Sequence, residues 1–408
     1  MQANYNIHTL PNGIRLIHSE NRSEVAHFGL LVHTGTRDEN AEEHGLAHFM
    51  EHMFFKGTRK RSAYQIISRL EDVGGEINAY TTKEETAIYA SFLRNDYKKA
   101  IELIQDIFLH SLFSERERKK EAEVIISEIQ TYEDTPSELI FDQAEELLFP
   151  KHPIGRNILG SKESLNKFRN GLVEKFRTEN YATEEIVLCS VGNIPFKKLL
   201  QYAERYFYDL PTQRRVRPRV TPASTSGQRD QVDRSTFQAH CIISGEAYSY
   251  RNQDRIALHL LNNILGGPGM NSRLNMALRE KRGFSYSAES HYLAYTDSGA
   301  VNIYFSCDKE RFGKSLEVTN TELKKLRTNL IPDKKLNYAR RQLLGQIAIS
   351  AENGENLMLS MAKSHLLFNR VDSLTEIAEK LDRVSPQKLR EIANDIFEPP
   401  RLNTLIYM

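Results

Sequence analysis

The sequence predicts an α+β protein of two structurally similar domains, each a mostly antiparallel sheet covered by helices. Three observations lead to this fold class. The chain has 408 residues, which is too long for one ordinary domain. Strand-like and helix-like segments are interleaved along it. A polar segment then divides the chain into halves of similar size, and both halves repeat one order of elements.

Each half is predicted to open on one short strand and to close on another. The opening strands are residues 27–33 (HFGLLVH) and 239–244 (AHCIIS), and the closing strands are residues 186–191 (IVLCSV) and 402–407 (LNTLIY). All four are short apolar runs of the kind that forms buried strands. Between them, each half carries an amphipathic helix, further strands and long charged helices.

The polar segment 211–231, PTQRRVRPRVTPASTSGQRDQ, is rich in Pro, Arg, Ser and Thr and shows no apolar period. Such a composition is typical of a linker. We therefore predict one domain at residues 1–210, a linker at 211–230, and a second domain at 231–408.

The two halves also align weakly with each other. Residues 46–53 align with 257–264, and 113–129 with 331–347. Apolar positions coincide, whereas His48, Glu51, His52, Glu121 and Glu128 fall on His259, Asn262, Asn263, Ala339 and Gln346. Any two amphipathic helices can be aligned, so the direction of change is the informative part. It indicates a duplicated domain in which only the first copy carries chemistry.

Charge and cysteine content exclude several classes of protein. Lys plus Arg number 55 and Asp plus Glu 54, which argues against a nucleic-acid-binding platform. Three distant cysteines, Cys189, Cys241 and Cys307, predict buried thiols in a reducing compartment and no disulfide. Without a signal-peptide-like or membrane-spanning apolar run, a soluble cytoplasmic protein without a membrane partner is expected, although a processed precursor would look the same.

Residues 46–54, LAHFMEHMF, have the spacing of an amphipathic helix. Its apolar residues share one face, and His48, Glu51 and His52 lie on the opposite one. His48 and His52 are one turn apart, so both imidazoles can face one ion, while Glu51 can reach a metal-bound water without ligating. This is the inverted H-x-x-E-H order of a zinc peptidase. The alternative is an exposed helix face that carries these residues by chance.

A catalytic zinc ion also needs a third protein ligand. Glu121 and Glu128 are seven residues apart, so they lie on nearly the same face of one predicted helix. That face also carries Val124 and Ile125 and is expected to pack inward, where carboxylates are costly unless paired or metal-bound. Because the segment is dense in charge, the spacing alone does not select Glu128.

At this point the sequence resembles the pitrilysin/insulinase family of metallopeptidases, in its short processing-peptidase-like branch. The resemblance covers nearly the whole chain. It rests on six stretches in order: HGLAHFMEHMFFKGT (44–58), GGEINAYTTKEETAIY (74–89), EAEVIISEIQTYEDTP (121–136), HPIGRNILGS (152–161), NYATEEIVLCSVGN (180–193) and LLNNILGGPGMNSRLNMALREKRGFSYS (260–287).

The resemblance implies a role for each matching residue. His48, His52 and Glu128 would bind one Zn²⁺ per chain. Residues 1–210 would then be the catalytic metal-binding domain, and residues 231–408 a duplicated domain without metal that contributes to substrate binding. Glu51 would be the general base, and Glu121 a second carboxylate that supports the site. The substrate-binding residues would be Asn78 and Ala79, on an edge strand to which substrate adds, and Arg279 and Tyr286, which contact substrate near the scissile bond.

The resemblance further implies a zinc metalloendopeptidase that hydrolyses extended or unfolded peptides inside a closed chamber. Longer family members hold four such domains in one chain and enclose substrate between two halves. This chain has two, so a homodimer is predicted to close the chamber. Two alternatives remain: a non-catalytic assembly or scaffold subunit of the same fold, and a subunit that works only beside a different chain.

Overall fold

The structure, a computed structural model, describes residues 5–408. Its strands are β1 (Tyr5–Thr9), β2 (Arg15–Glu20), β3 (Val25–Val32), β4 (Glu76–Thr81), β5 (Thr86–Leu93), β6 (Ile186–Gly192), β7 (Arg229–Val232), β8 (Gln238–Glu246), β9 (Ser285–Ala294), β10 (Gly299–Asp308) and β11 (Leu402–Tyr407). Its α-helices are α1 (Leu46–Phe54), α2 (Ala63–Glu71), α3 (Tyr97–His110), α4 (Glu115–Glu133), α5 (Pro136–Leu148), α6 (Lys162–Leu165), α7 (Asn170–Asn180), α8 (Phe196–Phe207), α9 (Arg255–Gly266), α10 (Phe312–Thr328), α11 (Asp333–Glu352), α12 (Gly354–Phe368), α13 (Leu374–Asp382) and α14 (Pro386–Ile396). A π-helix covers Asn275–Glu280.

The strands form two sheets of matching topology. The first has the order β1-β2-β6-β3-β5-β4 and the second β7-β11-β8-β10-β9. In the described residues each sheet has one parallel pair, β2 with β6 and β7 with β11, and its other pairs are antiparallel. Apart from β1, the two orders correspond strand for strand. The predicted fold class is therefore confirmed, and so is the shared strand order of the two halves.

The four predicted strands are β3, β8, β6 and β11, with ends that differ by about two residues at most. The expectation that β3 and β8 open their halves was wrong, because β1 and β2 precede β3, and β7 precedes β8. β7 is exposed along its whole length and β1 is largely exposed. Such strands bury too little apolar surface to produce the alternation that identifies a strand in a sequence.

The chain forms two compact units that are not contiguous in sequence. The first unit contains the described residues up to 129, together with 158–220 and 348–373. The second contains residues 130–157, 221–347 and 374–408. Each unit therefore includes one helical segment from the other half of the chain, α12 in the first unit and α5 in the second.

In the first unit, helices cover both faces of the sheet. The inner face packs against buried residues of α1, α3 and α8. The outer face packs against α12, where Met358 and Met361 contact Leu31 and Val187. A Cβ atom on Gly29 of β3 would lie 3.1 Å from Cε of Met358, so a glycine lets α12 approach the sheet closely.

The second unit repeats this layered arrangement. Buried residues of α9, α10 and α14 pack on the inner face of its sheet. On the outer face, Ile140 and Ala144 of α5 pack against Ile242 of β8 and Leu405 of β11. Both sheets are thus sandwiched between helices, and in each unit the outer helix comes from the other half of the chain.

The three cysteines are all buried and free, as the sequence predicted. Burial raises the pKa of the Cys189 and Cys241 thiols well above the ordinary value, so both stay protonated at neutral pH. Among the described residues, we find no helix with both the length and the apolar character needed to cross a membrane.

Candidate metal centre

Helix α1, which carries the H-x-x-E-H segment, is preceded by its N-cap residue Gly45, whose backbone is left-handed with φ 86°. A Cβ atom there would lie 2.5 Å from Cα of Gly160, so the position also requires a glycine for space. The carboxylate of Glu39 accepts hydrogen bonds from the N–H groups of Gly45 and Ala47, both at 2.8 Å. A carboxylate at a helix N-terminus also interacts favourably with the helix dipole.

The burial of α1 follows the predicted amphipathic pattern. Its apolar face is at most 1% exposed and consists of Leu46, Phe49, Met50 and Met53. The side chain of His48 is 10% exposed and that of His52 is 21% exposed. The apolar face anchors the helix in the core of the first unit, which holds the polar face in a defined position.

The structure brings His48, His52 and Glu128 together. Nε2 of His48 and Nε2 of His52 lie 3.9 and 3.7 Å from the same Oε2 atom of Glu128. These separations exceed a hydrogen bond and are close to the roughly 3.4 Å between two ligands of a tetrahedral zinc ion. Two imidazoles and one carboxylate are also the donor set of known catalytic zinc sites. The residues present therefore fit a zinc ion.

His52 is oriented by a second carboxylate. Its Nδ1 atom donates a hydrogen bond to Oε1 of Glu121 at 2.8 Å. The other carboxylate oxygen of Glu121 forms an ion pair with Nζ of Lys56 at 2.7 Å. Burial raises the pKa of Glu121, but the contacts with His52 and Lys56 outweigh burial, so that the pKa is lowered overall. A carboxylate bonded to the outer nitrogen of a histidine fixes which nitrogen faces a metal. The sequence interpretation missed Lys56, although it continues the i, i+4 row of His48 and His52.

The state of charge in the site suits metal binding. Burial, and then the neighbouring His52, lower the pKa of His48 to about 3, so its ring is neutral at neutral pH. Burial also raises the pKa of Glu51, which interacts electrostatically with His52 and Glu128. Glu51 is not among the three residues whose donor atoms lie within 4.8 Å of one another.

Helix α4 contributes Glu121 and Glu128, but its inward face is narrower than predicted. Glu121 and Ile125 are buried, whereas Val124 is 50% exposed. The expectation that Val124 packs inward was wrong, because the buried stripe of α4 covers only part of one side of the helix. The side chain of Glu128 is 35% exposed and faces the two histidines from the end of that stripe.

Asn78 and Ala79 lie in β4, at the edge of the first sheet. β4 pairs with β5 on one side, and within the described residues no strand pairs with its other side. Helix α1 packs next to β4. A strand that could be extended by a peptide thus runs beside the H-x-x-E-H helix.

Arg279 and Tyr286 lie together in the second unit. The guanidinium carbon of Arg279 is 5.0 Å from the centre of the Tyr286 ring, a cation–π contact. Arg279 belongs to the π-helix, and Tyr286 lies in the edge strand β9 with 79% exposure. The pair is thus presented to solvent rather than buried in a core.

The aligned positions of α9 gather no metal donors. Asn262 donates to the carbonyl of Ser290 at 2.9 Å and accepts from the Ser290 hydroxyl at 2.6 Å, which ties α9 to β9. His259 packs on Tyr292 with ring centres 4.5 Å apart. In the described part of the chain, His48, His52 and Glu128 form the one group of donors placed to share a metal.

The first residues of the predicted linker lie on the first unit. Arg219 makes two hydrogen bonds of 2.9 Å to Asp38, Arg215 reaches the same carboxylate at 2.6 Å, and Arg217 binds Glu43 at 2.8 Å. Asp38 and Glu43 lie in the loop between β3 and α1. Because removing one partner of a buried ion pair costs about 3–5 kcal/mol, the arginines fix this loop in position. The alternation of arginine at positions 215, 217 and 219 is the sequence signal that we missed.

Comparison with protein families gives two adjacent matches. The profile described as Insulinase (Peptidase family M16) matches residues 15–162, and the one described as Peptidase M16 inactive domain matches residues 170–343. The division between these matches lies at residues 163–169, before the predicted linker at 211–230.

Similar curated proteins span nearly the whole chain. A protein of Bacillus subtilis described as an uncharacterized zinc protease is 31% identical over 392 residues, covering 96% of this chain and 95% of its own. Proteins with the same description from Streptomyces coelicolor and Rickettsia bellii are 32% and 31% identical and cover 95% and 100% of this chain, and 86% and 98% of their own lengths.

Two solved structures share the fold. One, a protease from Helicobacter pylori, has a TM-score of 0.90 at 19% identity, with 99% of each chain covered. The other, described as a peptidase M16 inactive domain from Pseudomonas fluorescens, has a TM-score of 0.92 at 17% identity, covering 99% of this chain and 97% of its own. At these identities, the likeness concerns the fold alone.

Proposed function

Because the chain belongs to the insulinase family of peptidases, family M16, we propose that it is a zinc-dependent endopeptidase that hydrolyses extended or unfolded peptides. The observation that carries this proposal is the convergence of His48, His52 and Glu128, with Glu51 between the two histidines on α1. The names of the curated relatives support zinc and proteolysis, while the activity of this chain is our inference.

Each residue of the centre has a proposed task. His48, His52 and Glu128 hold the zinc ion, which when bound supplies Lewis acidity toward water and the scissile carbonyl. Glu51 accepts a proton from the attacking water and delivers it to the leaving amine. Glu121 keeps Nε2 of His52 directed at the centre through its bond to Nδ1.

Substrate is proposed to bind by strand addition to β4. The free side of this edge strand offers backbone N–H and C=O groups to an extended peptide along Asn78 and Ala79. Such binding depends on main-chain hydrogen bonds, which a folded protein has already used within its own sheets and helices. The substrate class is therefore extended or unfolded polypeptide.

The test is digestion by the purified, zinc-loaded full chain. We expect cleavage of a reduced and carboxymethylated protein and of a diverse peptide library, and no cleavage of the same protein in its folded state. A chelator is expected to stop cleavage, and added zinc to restore it. A chain that holds zinc in this site and cleaves none of these substrates would instead match the non-catalytic scaffold alternative.

We further propose that the working enzyme is a homodimer whose sites are completed in trans. The first unit carries the candidate metal centre and the second carries the exposed pair Arg279 and Tyr286. A second copy related by a two-fold axis would supply this pair to each metal centre and close a chamber around the peptide. In that position, Arg279 and Tyr286 would donate hydrogen bonds to the scissile carbonyl.

Mixing two inactive variants tests the dimer. Glu51→Gln and Tyr286→Phe chains are each expected to be inactive alone, whereas subunit exchange should restore activity, because a mixed dimer keeps one complete site. Size measurement and differently tagged chains establish that mixed dimers form. If they form and remain inactive, or if the active species is a monomer, completion in trans is wrong.

A further inference from the structure

The second unit contains a pocket of about 580 Å³ between α9, the π-helix and the facing ends of α10 and α11. In chain order, α9 follows β8 as α1 follows β3, and α11 follows α10 as α4 follows α3. Asn263 and Ala339, which align with His52 and Glu121, both line this pocket. Residues that align with the candidate metal centre thus line an open pocket in the second unit, with different chemistry.

Positive charge dominates the lining of this pocket. Its charged side chains are Arg273, Lys281, Lys325, Lys335 and Glu322. Glu322 pairs with Lys325 at 2.7 Å and lies 3.9 Å from Arg273. Among the residues that the structure describes, no carboxylate lies within ion-pair distance of Lys281 or Lys335. The one acidic side chain therefore leaves most of the positive charge uncompensated.

Two polar groups in the wall of the pocket are only partly exposed and have few partners among the described residues. The side chain of Arg273 is only 27% exposed, and its nearest carboxylate oxygen is the one 3.9 Å away on Glu322. Asn263 is 9% exposed, and its side-chain amide has no hydrogen-bond partner within the described part of the chain. Both side chains can donate hydrogen bonds into the pocket, so a ligand that accepts hydrogen bonds can contact both.

The rest of the pocket suits a peptide. Met276, Leu330 and Tyr338 form an apolar rim and are 36%, 43% and 59% exposed. The side-chain amides of Asn271 and Gln342, joined at 3.0 Å, can exchange hydrogen bonds with a peptide backbone. Apolar contacts and amides beside the cations favour an acidic peptide over a small inorganic anion. The wall includes part of a π-helix, a conformation frequent at functional sites.

We propose that this pocket of the second unit binds carboxylates of the peptide substrate, with Arg273 as the central contact and Lys281 and Lys335 at its mouth. A guanidinium recognises a carboxylate through paired hydrogen bonds, and the apolar rim accommodates the neighbouring side chains. The carboxylate comes from Asp and Glu side chains or from a free C-terminus. The chain accordingly selects acidic segments among unfolded polypeptides. This inference rests on the proposed function, because it takes the ligand to be a peptide substrate.

Binding is measured by fluorescence anisotropy with the full-length Glu51→Gln chain in the presence of a chelator, so that no cleavage intervenes. The probes are one labelled acidic peptide, the same peptide with Asn and Gln for Asp and Glu, and the acidic peptide with an amidated C-terminus. We expect the acidic peptide to bind about tenfold or more tightly than at least one neutralised form, the scale of a charge-assisted hydrogen bond. The weaker of the two modified peptides identifies the source of the carboxylate.

Substitutions inside and outside the pocket locate the binding site, and the two double lysine variants remove the same charge. Arg273→Met, and the double substitution Lys281→Met with Lys335→Met, are expected to abolish the preference for the acidic peptide. Lys314→Met with Lys324→Met removes two exposed charges of the same unit outside the pocket and should retain it. Because Lys281 and Lys335 are exposed, their double variant should fold, so the site can still be tested if the Arg273 variant does not fold.

The inference would be overturned if the two double lysine variants lost the preference for the acidic peptide to the same extent. Equal binding of all three peptides would also overturn it. Digestion of peptides regardless of their acidity would support the proposed function and contradict only this inference. Binding of acidic peptides in the pocket without cleavage of any peptide would contradict the proposed function instead.

Discussion

The Glu51→Gln variant is expected to lower kcat by about 10²–10⁴-fold, the usual contribution of a positioned general base. Glutamine has nearly the same shape as glutamate, but its amide cannot accept the proton of the attacking water. Because Glu51 is not among the three converging donors, zinc content should stay the same. KM should change little, since β4 and not Glu51 is proposed to bind the peptide backbone.

The measurement is steady-state cleavage of a quenched fluorescent peptide, together with zinc content by elemental analysis. Glu71→Gln, an exposed glutamate at the end of α2, makes the same chemical change in the same unit and should leave kcat unaltered. A Glu51→Gln chain that retains a tenth or more of wild-type kcat would remove Glu51 from the proposed mechanism. A chain that has lost its zinc would assign Glu51 to metal binding instead.

The Glu121→Gln variant is expected to weaken zinc binding by about 10–100-fold, as replacement of a residue that orients a metal-binding histidine usually does. Glu121 accepts the Nδ1–H of His52 at 2.8 Å and pairs with Lys56 at 2.7 Å. A neutral amide accepts the first bond more weakly and can rotate to present its NH₂ group. Nε2 of His52 would then be a weaker and less well-oriented donor.

Competition with a chromophoric chelator measures this zinc affinity without any substrate. Glu123→Gln is the matched control, because Glu123 is exposed on the same helix, two residues away. The Lys56→Met variant keeps the bond between His52 and Glu121, so we expect it to weaken zinc binding less than Glu121→Gln does. Equal zinc affinity in the Glu121 and Glu123 variants would contradict a positioning role for Glu121.

Much of the fold could be predicted because its central elements carry strong local patterns. The interior strands β3, β6 and β8 are short apolar runs, and α1 shows the full helical period. The comparisons confirm the family that the six motif stretches indicated. β7 was missed, since a fully exposed strand is stabilised by pairing with β11 rather than by its own apolar pattern.

The candidate site also has a part that the sequence could predict and a part that only the structure shows. His48, Glu51 and His52 lie in one turn of one helix, so the helical period alone places them on a common face. Glu121 and Glu128 come from another helix, and spacing could not choose between the many carboxylates of α4. Their tasks are separated in the structure, where Glu121 contacts Nδ1 of His52 and Glu128 faces both Nε2 atoms.

The sequence by itself determined the α+β class, the duplication and the helix that carries His48, Glu51 and His52, because these follow from local periodicity and from motifs short enough to read along the chain. Only the tertiary structure decided that α5 and α12 each cover the sheet of the other half, and that the arginines of the linker hold the loop before α1. Such contacts join residues about a hundred or more positions apart. They depend on which surfaces meet, and no local pattern of apolar or charged residues specifies its partner.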